Sequence, residues 1–279
     1  MRAAPFGPTG REVSAIGQGT WLIDEEDRVG PVEALRAGLD AGMTHIDTAE
    51  MYGDAEVMVA EAIAGRRDEV FLVSKVLPEN ASARGTIAAC ERSLKRLKTD
   101  RLDCYLLHWR GSYPLADTVE AFERLVEAGK IASWGVSNFD AKDLDELLAV
   151  TEPGRIACNQ VLYHLGERAI EHRVLPWCEA NGVALVAYSP FGHDDFPPPN
   201  SPGGRALGEI GAAHGATARQ VALAALSRRP SVFVIPKASS VAHARDNAAA
   251  ADLDLTPAEL TRIDAVFPRG REPRRLPMI

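Results

Sequence analysis

Eight short apolar segments, rich in β-branched residues, recur at nearly even intervals and constrain the fold more than any other feature of the chain. We predict strands at Ile16–Gly19, Met43–Asp47, Val70–Lys75, Cys104–His108, Ser133–Ser137, Cys158–Val161, Ala184–Tyr188 and Val232–Ile235. Stretches with helical periodicity lie between them, among them Pro31–Ala41, Ala55–Ala64, Thr86–Leu97, Asp117–Ala128 and Ala141–Leu148. Eight strand–helix units with no linker predict one α/β domain over residues 1–279, a (β/α)8 TIM barrel.

Three segments lie outside this repeat. Ala4–Gly17 carries turn residues near its middle and is predicted to form a hairpin that closes the bottom of the barrel. Phe191–Gly204 is too polar and too rich in proline for a helix, so we expect a long loop. Because this loop follows a strand, it should emerge at the face where barrels carry their active sites. The terminal Arg274–Ile279 is expected to be a plain surface end.

Local signals also mark several helix ends. Asp140 is placed to cap the helix that begins at Ala141, and Gly129 to stop the helix before it. Two further sites have the pattern of a capping box, in which two side chains satisfy each other's backbone amides. These boxes pair Thr217 with Gln220 and Thr256 with Glu259.

Composition and charge exclude several classes of function. The chain has 31 basic and 39 acidic side chains, and its net charge of -8 argues against binding to nucleic acid or to an anionic membrane surface. It contains neither an apolar run long enough to cross a bilayer nor an N-terminal secretory pattern. The cysteines form no CxxC pair, so we expect a reduced, cytoplasmic protein with no metal site. They are Cys90, Cys104, Cys158 and Cys178.

Four polar residues end or follow neighbouring strands, where barrel enzymes carry catalytic groups. Asp47 ends the second strand, Tyr52 lies in the loop behind it, and Lys75 and His108 end the next two strands. Three of these residues could also have a purely structural role. Asp47 could cap a helix, Tyr52 could pack in the core, and His108 could be a buried histidine whose hydrogen bonds are satisfied. Lys75 is harder to explain in that way, because an ammonium that closes an apolar strand is costly unless it is paired. Asp47 is the available partner.

This pairing suggests a proton-transfer site. A tyrosine is a poor acid at neutral pH, but a nearby ammonium stabilises the phenolate and should lower its pKa. A buried carboxylate would keep the lysine charged, and a histidine beside the phenol could bind the same substrate oxygen. Such a group protonates a developing alkoxide, which suits carbonyl reduction with hydride supplied by a cofactor.

The sequence resembles the aldo-keto reductase family over about residues 5–267. The matching segments occur in the family's order: GQGTW, HIDTAEMYG, VSK, YLLHW, WGVSNF, NQ, AYSP and VIPKASS. The first of them, together with HWRGSYPL, is most similar to bacterial members of the methylglyoxal reductase type. The resemblance implies NADPH as cofactor, a monomer, and Tyr52 as the general acid, with Asp47, Lys75 and His108 tuning it.

The resemblance also implies a set of cofactor contacts. Ser137, Asn138 and Gln160 would bind the nicotinamide carboxamide, Tyr188 would stack on the ring, and Lys237 would meet the 2′-phosphate. The long loop resembles the family's flap over the cofactor pyrophosphate, and we call the segment from Ser189 to the end of this loop the flap. The further cofactor-binding candidates are Gly19, Thr20 and Trp21 in the first loop, Ser189, Pro190 and Phe191 at the start of the flap, and Ser239, Arg245 and Asn247 near the adenosine. Trp21, Tyr52 and Trp109 would wall the substrate pocket.

The sequence departs from the family at the adenine, where His243 stands in place of an arginine. Arg245 either takes over that contact or is solvated. We therefore expect an NADPH-dependent reductase of small aldehydes and dicarbonyls. A sugar or alcohol oxidoreductase and a cofactor-sensing regulatory subunit remain the alternatives.

Overall fold

The computed structural model describes residues 1–25 and 27–279. Eight parallel strands form one sheet, and their order in the sheet follows their order in the chain. They are β3 (Gln18–Gly19), β4 (His45–Asp47), β5 (Phe71–Val76), β6 (Leu102–Leu107), β7 (Ile131–Ser137), β8 (Ile156–Leu162), β9 (Ala184–Tyr188) and β10 (Val232–Val234). The first two strands, β1 (Ala3–Pro5) and β2 (Glu12–Ser14), pair separately and antiparallel.

The sheet closes on itself between β3 and β10. Parallel bridges join Ile16 to Val234 and Gly19 to Lys237, and the Gly17 amide donates to the Val234 carbonyl at 2.8 Å. Among the residues that the structure describes, closure pairs both edge strands of the sheet with each other. The predicted (β/α)8 fold is confirmed.

Helices follow every strand of the barrel and cover its outer face. They are α1 (Val29–Asp40), α2 (Ala55–Ala62), α3 (Ala83–Leu97), α4 (Leu115–Glu127), α5 (Ala141–Leu148), α6 (Val174–Ala180), α7 (Pro202–His214), α8 (Ala218–Leu226), α9 (Val241–Ala249) and α10 (Pro257–Val266). The predicted loop Phe191–Gly204 is wrong at its end, because Pro202 opens α7. Ser201 caps that helix by accepting from the Gly204 amide, and proline suits a first helical turn, where no amide hydrogen bond is lost.

The N-terminal hairpin closes the bottom of the barrel, as predicted. Its Phe6 is fully buried and lies with ring centroids 4.7 Å from Phe71 and 4.9 Å from Phe233, inside the barrel. Gly7 follows with φ +52°, and a Cβ at this position would come within 2.2 Å of the Ala157 carbonyl oxygen. The hairpin backbone is therefore packed too closely against β8 to accept a side chain there.

The predicted bounds of the named helices and strands lie within three residues of the observed ones, and the predicted helix caps are present. Asp140 forms a capping box with Asp143, and the boxes at Thr217 and Thr256 are also present. The first strand is shorter than expected, and β6 ends at Leu107, one residue before His108. Within the two described ranges, no helix is long and apolar enough to cross a membrane.

Candidate active site

Three adjacent strands bring the four predicted catalytic residues together at the carboxyl end of the barrel. Asp47 ends β4, Lys75 is the penultimate residue of β5, and His108 directly follows β6. The amide of His108 still donates to the Val76 carbonyl at 3.0 Å, so the end of β5 holds its backbone. Tyr52 reaches the same point from the loop after β4.

Lys75 lies at the centre of this group. Its ammonium donates to Asp47 Oδ1 at 2.5 Å, to the Thr48 carbonyl at 2.9 Å and to the Tyr52 hydroxyl oxygen at 3.2 Å. The Tyr52 hydroxyl also lies 3.4 Å from Nε2 of His108. The phenol oxygen therefore has a cation on one side and an imidazole nitrogen on the other.

Gln160 belongs to this cluster as well. Its amide nitrogen donates to Oδ2 of Asp47 at 2.8 Å, while Oδ1 of the same carboxylate accepts from Lys75. Both carboxylate oxygens are thus engaged, which fixes the orientation of Asp47. The resemblance had placed Gln160 with the cofactor alone, and its contact with Asp47 links β8 to the catalytic group on β4.

Burial and charge determine the protonation states. Burial alone would lower the pKa of Lys75, but the neighbouring Asp47 carboxylate and Tyr52 outweigh it and raise that pKa. Burial together with the Lys75 ammonium lowers the pKa of His108 to about 2, so the imidazole is neutral near pH 7. We expected the ammonium to lower the pKa of Tyr52. Burial raises it instead, and Lys75 opposes that rise only in part.

A cavity of about 380 Å³ opens above the cluster. Asp47, Tyr52 and His108 line its floor, and Lys75 lies beneath. The predicted wall residues Trp21 and Trp109 both line it. The predicted cofactor residues that line it are Gly19, Thr20, Trp21, Ser137, Asn138, Gln160, Tyr188, Ser189, Pro190, Phe191 and Lys237.

The loops after β7 and β9 begin with strained backbone on the cavity wall. Asn138 has φ +60° and Ser189 has φ +46°, in the left-handed region that non-glycine residues rarely adopt. Hydrogen bonds hold this geometry: Asn138 donates to the His108 carbonyl at 3.1 Å, and its Oδ1 accepts from the Tyr188 hydroxyl at 2.9 Å. Tyr188 is therefore held with its ring at the cavity.

Three predicted cofactor residues lie outside the cavity lining. Ser239 precedes α9, Arg245 is exposed on that helix, and Asn247 is buried within it. All three follow Lys237, which lines the cavity and donates to the Leu22 carbonyl at 3.4 Å. They therefore follow the cavity-lining Lys237 along the chain, outside the lining itself.

The expectation of a plain surface end at Arg274–Ile279 is wrong. Met278 and Ile279 line the cavity, and Leu276 is partly buried against the core. A short tail of mixed polarity has no hydrophobic periodicity from which burial could be predicted. The position of these side chains at the mouth of the cavity therefore follows only from the folded structure. His193 was also missed: its ring stacks on Trp21 with centroids 5.6 Å apart, which joins the flap to the first loop.

Neither an additional arginine nor a metal-ligand cluster was found at the cavity in the described part of the chain. Arg110, which follows Trp109 in the sequence, pairs with Glu146 at 3.2 Å on the surface and does not line the cavity. Within residues 1–25 and 27–279, no group of histidine, cysteine and acidic side chains could hold a metal ion.

Comparisons with known proteins agree with this geometry. The model of the aldo/keto reductase family matches residues 15–267. Methylglyoxal reductase YeaE of Escherichia coli is 46% identical over 95% of both chains. Crystal structures of an aldo-keto reductase from Klebsiella pneumoniae, one with NADP and acetate and one with NADPH, are each 45% identical, with a TM-score of 0.93 and full coverage of both chains. With a family match over most of its length and the four polar groups at the carboxyl end of its barrel, the chain belongs to the aldo/keto reductase family.

Proposed function

We propose that this chain reduces small aldehydes and dicarbonyls such as methylglyoxal to alcohols with NADPH, and that Tyr52 is the general acid. The observation that carries the proposal is the position of the Tyr52 hydroxyl. It lies within 3.4 Å of both Lys75 Nζ and His108 Nε2, at the floor of a cavity walled by aromatic rings.

Each residue of the site has a separate role in proton transfer. A substrate oxygen above Tyr52 accepts a hydrogen bond from the phenol and a second one from neutral His108, whose pKa of about 2 keeps it from becoming a cation. As charge develops on that oxygen, the Tyr52 proton moves to it, and the Lys75 ammonium stabilises the phenolate left behind. Asp47 and Gln160 hold the ammonium in place. Solvent then returns a proton to Tyr52.

The cavity fits a nicotinamide cofactor. Amide and hydroxyl groups of Ser137, Asn138 and Gln160 face it from adjacent strand ends, and the Tyr188 ring offers a stacking surface beside them. Burial raises the pKa of Tyr188 to about 12, so that ring stays an uncharged phenol. When bound, the nicotinamide supplies the hydride that adds to the carbonyl carbon.

The other end of the cavity would hold the adenosine part. Lys237 would meet the 2′-phosphate, with Ser239 just before α9 and Arg245 and Asn247 on that helix. Gly19, Thr20 and Trp21 on one side and Ser189, Pro190 and Phe191 on the other would enclose the link between the two halves. A phosphate dianion gives a lysine a strong, charge-assisted partner.

Substrate size and charge follow from the wall of the pocket. Trp21, Trp109 and Met278 present mostly apolar surface next to Tyr52. Among the described residues that line the cavity, Lys237 is the one basic side chain of lysine or arginine type, and it belongs to the proposed cofactor end. Compact, weakly polar carbonyls therefore fit better than sugar acids.

The test is reduction of a carbonyl panel, followed by NADPH absorbance, with the unmodified chain and Tyr52→Phe. We expect methylglyoxal and phenylglyoxal to give a higher kcat/KM than aldohexoses or keto acids. Tyr52→Phe should lower kcat by about 10²–10⁴-fold, the usual contribution of a general acid, and leave NADPH affinity unchanged.

The outcome also separates the alternatives. More than half the activity in Tyr52→Phe would contradict the assigned acid, and a sugar as best substrate would favour a sugar or alcohol oxidoreductase. NADPH binding without turnover would favour a cofactor-sensing subunit. We also propose that the chain acts as a cytoplasmic monomer, which its elution volume in size-exclusion chromatography tests.

A further inference from the structure

A second cavity of about 390 Å³ lies on the side of the barrel between α5, the segment before α6 and the C-terminal tail. We call it the tail groove. It shares no residue with the cavity above Tyr52. Its lining residues are Asp140, Ala141, Lys142, Ala169, His172, Arg173, Val174, Glu272, Pro273, Arg274, Arg275 and Leu276.

The tail groove is basic although the chain as a whole is acidic. Lys142, Arg173, Arg274 and Arg275 line it, against the two carboxylates of Asp140 and Glu272. Glu272 is neutralised by an ion pair, whereas Asp140 keeps its negative charge. Asp140 accepts from the Asp143 amide as the cap of α5, and Glu272 forms an ion pair with Arg173.

The two tail arginines lack acidic partners. Across residues 1–25 and 27–279, no carboxylate lies within ion-pair distance of Arg274 or Arg275, whereas most arginines of this chain are paired. Lys142 is only loosely paired, with its ammonium 3.7 Å from Glu146. Two arginines without an acidic partner thus border the groove beside the loosely paired Lys142, in a chain of net charge -8.

The wall of the groove includes His172 and the first turn of α5. Nε2 of His172 is buried and has no hydrogen-bond partner within the described part of the chain. That nitrogen is enclosed by protein atoms, so an anion in the groove does not contact it. The first helical residues of α5, Ala141 and Lys142, line the same groove with backbone amides that precede the first hydrogen bond of that helix.

We propose that the tail groove is an anion-binding site for inorganic phosphate or a small phosphate monoester. The planar forks of Arg274 and Arg275 match phosphate oxygens, and Lys142 lines the same groove. The volume of the groove accommodates a phosphate with a short organic group. The site is distinct from the cofactor phosphates, which belong to the cavity above Tyr52.

The tail connects this site to the active-site mouth. Pro273–Leu276 line the groove, and Met278 and Ile279 line the catalytic cavity only two residues further on. An anion that holds Arg274 and Arg275 therefore restrains the residues that border the substrate entrance. This consequence rests on the proposed function, whereas binding of the anion does not.

Isothermal titration of phosphate into NADP+-saturated protein tests the site, at constant ionic strength set with chloride. Saturation with NADP+ removes the cofactor phosphate pocket from competition. We expect saturable binding of one phosphate. The variant Arg274→Gln/Arg275→Gln should weaken it at least tenfold, since each lost charge-assisted contact costs roughly three- to tenfold in affinity at an exposed site.

Arg271→Gln is the matched control, because Arg271 is exposed on the same tail and does not line the groove. It should bind phosphate like the unmodified protein. A parallel titration with glycerol 3-phosphate distinguishes a phosphate ester from free phosphate as the ligand. Tighter binding than that of inorganic phosphate assigns the site to a phosphate ester, and equal binding assigns it to the free ion. Absence of saturable binding, or unchanged affinity in the double variant, would overturn the proposal.

A kinetic measurement tests the connection to the active site. Saturating phosphate should change the KM for phenylglyoxal at least twofold in the unmodified enzyme and leave it unchanged in the double variant. A KM that does not respond to bound phosphate would overturn the connection. Failure of the proposed reductase activity would be visible separately, as absence of turnover without phosphate.

Discussion

The charge of Lys75 is the residue-scale feature on which the site depends. Its side chain is fully buried, and an isolated ammonium in such a place would lose its proton. Asp47 at 2.5 Å and the phenol of Tyr52 at 3.2 Å reverse that tendency and raise its pKa. The same burial keeps Tyr52 protonated at rest. A charged lysine beside a protonated phenol is the state that a proton donor requires before its substrate arrives.

Lys237 carries the residue-scale prediction on cofactor choice. Replacement of Lys237 with methionine keeps the length of the side chain and removes the charge that the 2′-phosphate of NADPH would meet. We expect the affinity for NADPH to fall roughly ten- to a hundredfold, the effect of a charge-assisted contact, while NADH affinity stays constant. Fluorescence titration with both cofactors measures this. Equal affinities for NADPH and NADH in the unmodified chain would contradict it.

At the scale of elements, the segment between β9 and α7 borders the catalytic cavity and contacts two other parts of the fold. Phe191 lines the cavity, and His193 stacks on Trp21 across it. Arg219, on α8, lies 4.8 Å from the ring of Phe191 and 4.6 Å from the ring of Phe196. These cation–π contacts fasten the flap to a helix that is itself fixed by a capping box.

We therefore predict that Arg219→Ala loosens the flap. Because the flap would cover bound cofactor, the dissociation rate of NADPH should rise about three- to tenfold, which corresponds to the loss of one or two cation–π contacts. Stopped-flow fluorescence measures this rate. Arg124→Ala provides the control, since Arg124 is exposed on α4 and pairs with Glu120 of the same helix, outside the flap. An unchanged rate in Arg219→Ala would show that the flap is held by other contacts.

At the scale of the whole molecule, the barrel interior is layered. The polar catalytic cluster occupies the carboxyl end, and the aromatic side chains of Phe6, Phe71 and Phe233 occupy the other. His45 lies in the aromatic layer, fully buried, and neither of its ring nitrogens has a hydrogen-bond partner among the described residues. Burial lowers its pKa from 6.5 to about 4.

Because of His45, we predict that the free energy of unfolding decreases at acid pH. The native barrel keeps His45 neutral, whereas the unfolded chain takes up a proton below pH 6.5, so stability is lost as the pH falls from 6.5 toward 4. By pH 5 the loss due to His45 is about 2 kcal/mol. His45→Leu should recover that amount at pH 5 and change little at pH 7.5. Urea unfolding at both pH values measures it, and an equal pH dependence in the two proteins would contradict it.

Local patterns in the sequence were sufficient for the order of elements and for the helix caps at Asp140, Thr217 and Thr256, because both depend on residues close together in the chain. Strand ends were predicted to within two residues, and the start of the first strand was among the least accurate. The first strand is formed mainly by its pairing with β4 and β10, partners distant in sequence, so its bounds do not follow from its own residues. The helix at Pro202 was missed because proline and glycine look like loop signals unless the cap at Ser201 is recognised.

The sequence alone determined which chemical groups are available: a lysine at the end of an apolar strand, a carboxylate to pair with it, and a tyrosine and a histidine beside them. Their convergence followed from the barrel itself, since parallel strands end on one face. Tertiary structure alone decided the bond from Gln160 to Asp47, the stacking of His193 on Trp21, and the placement of Met278 and Ile279 at the cavity mouth. Each of these contacts joins residues far apart in the chain, and no local pattern encodes them because their geometry exists only once the barrel has closed.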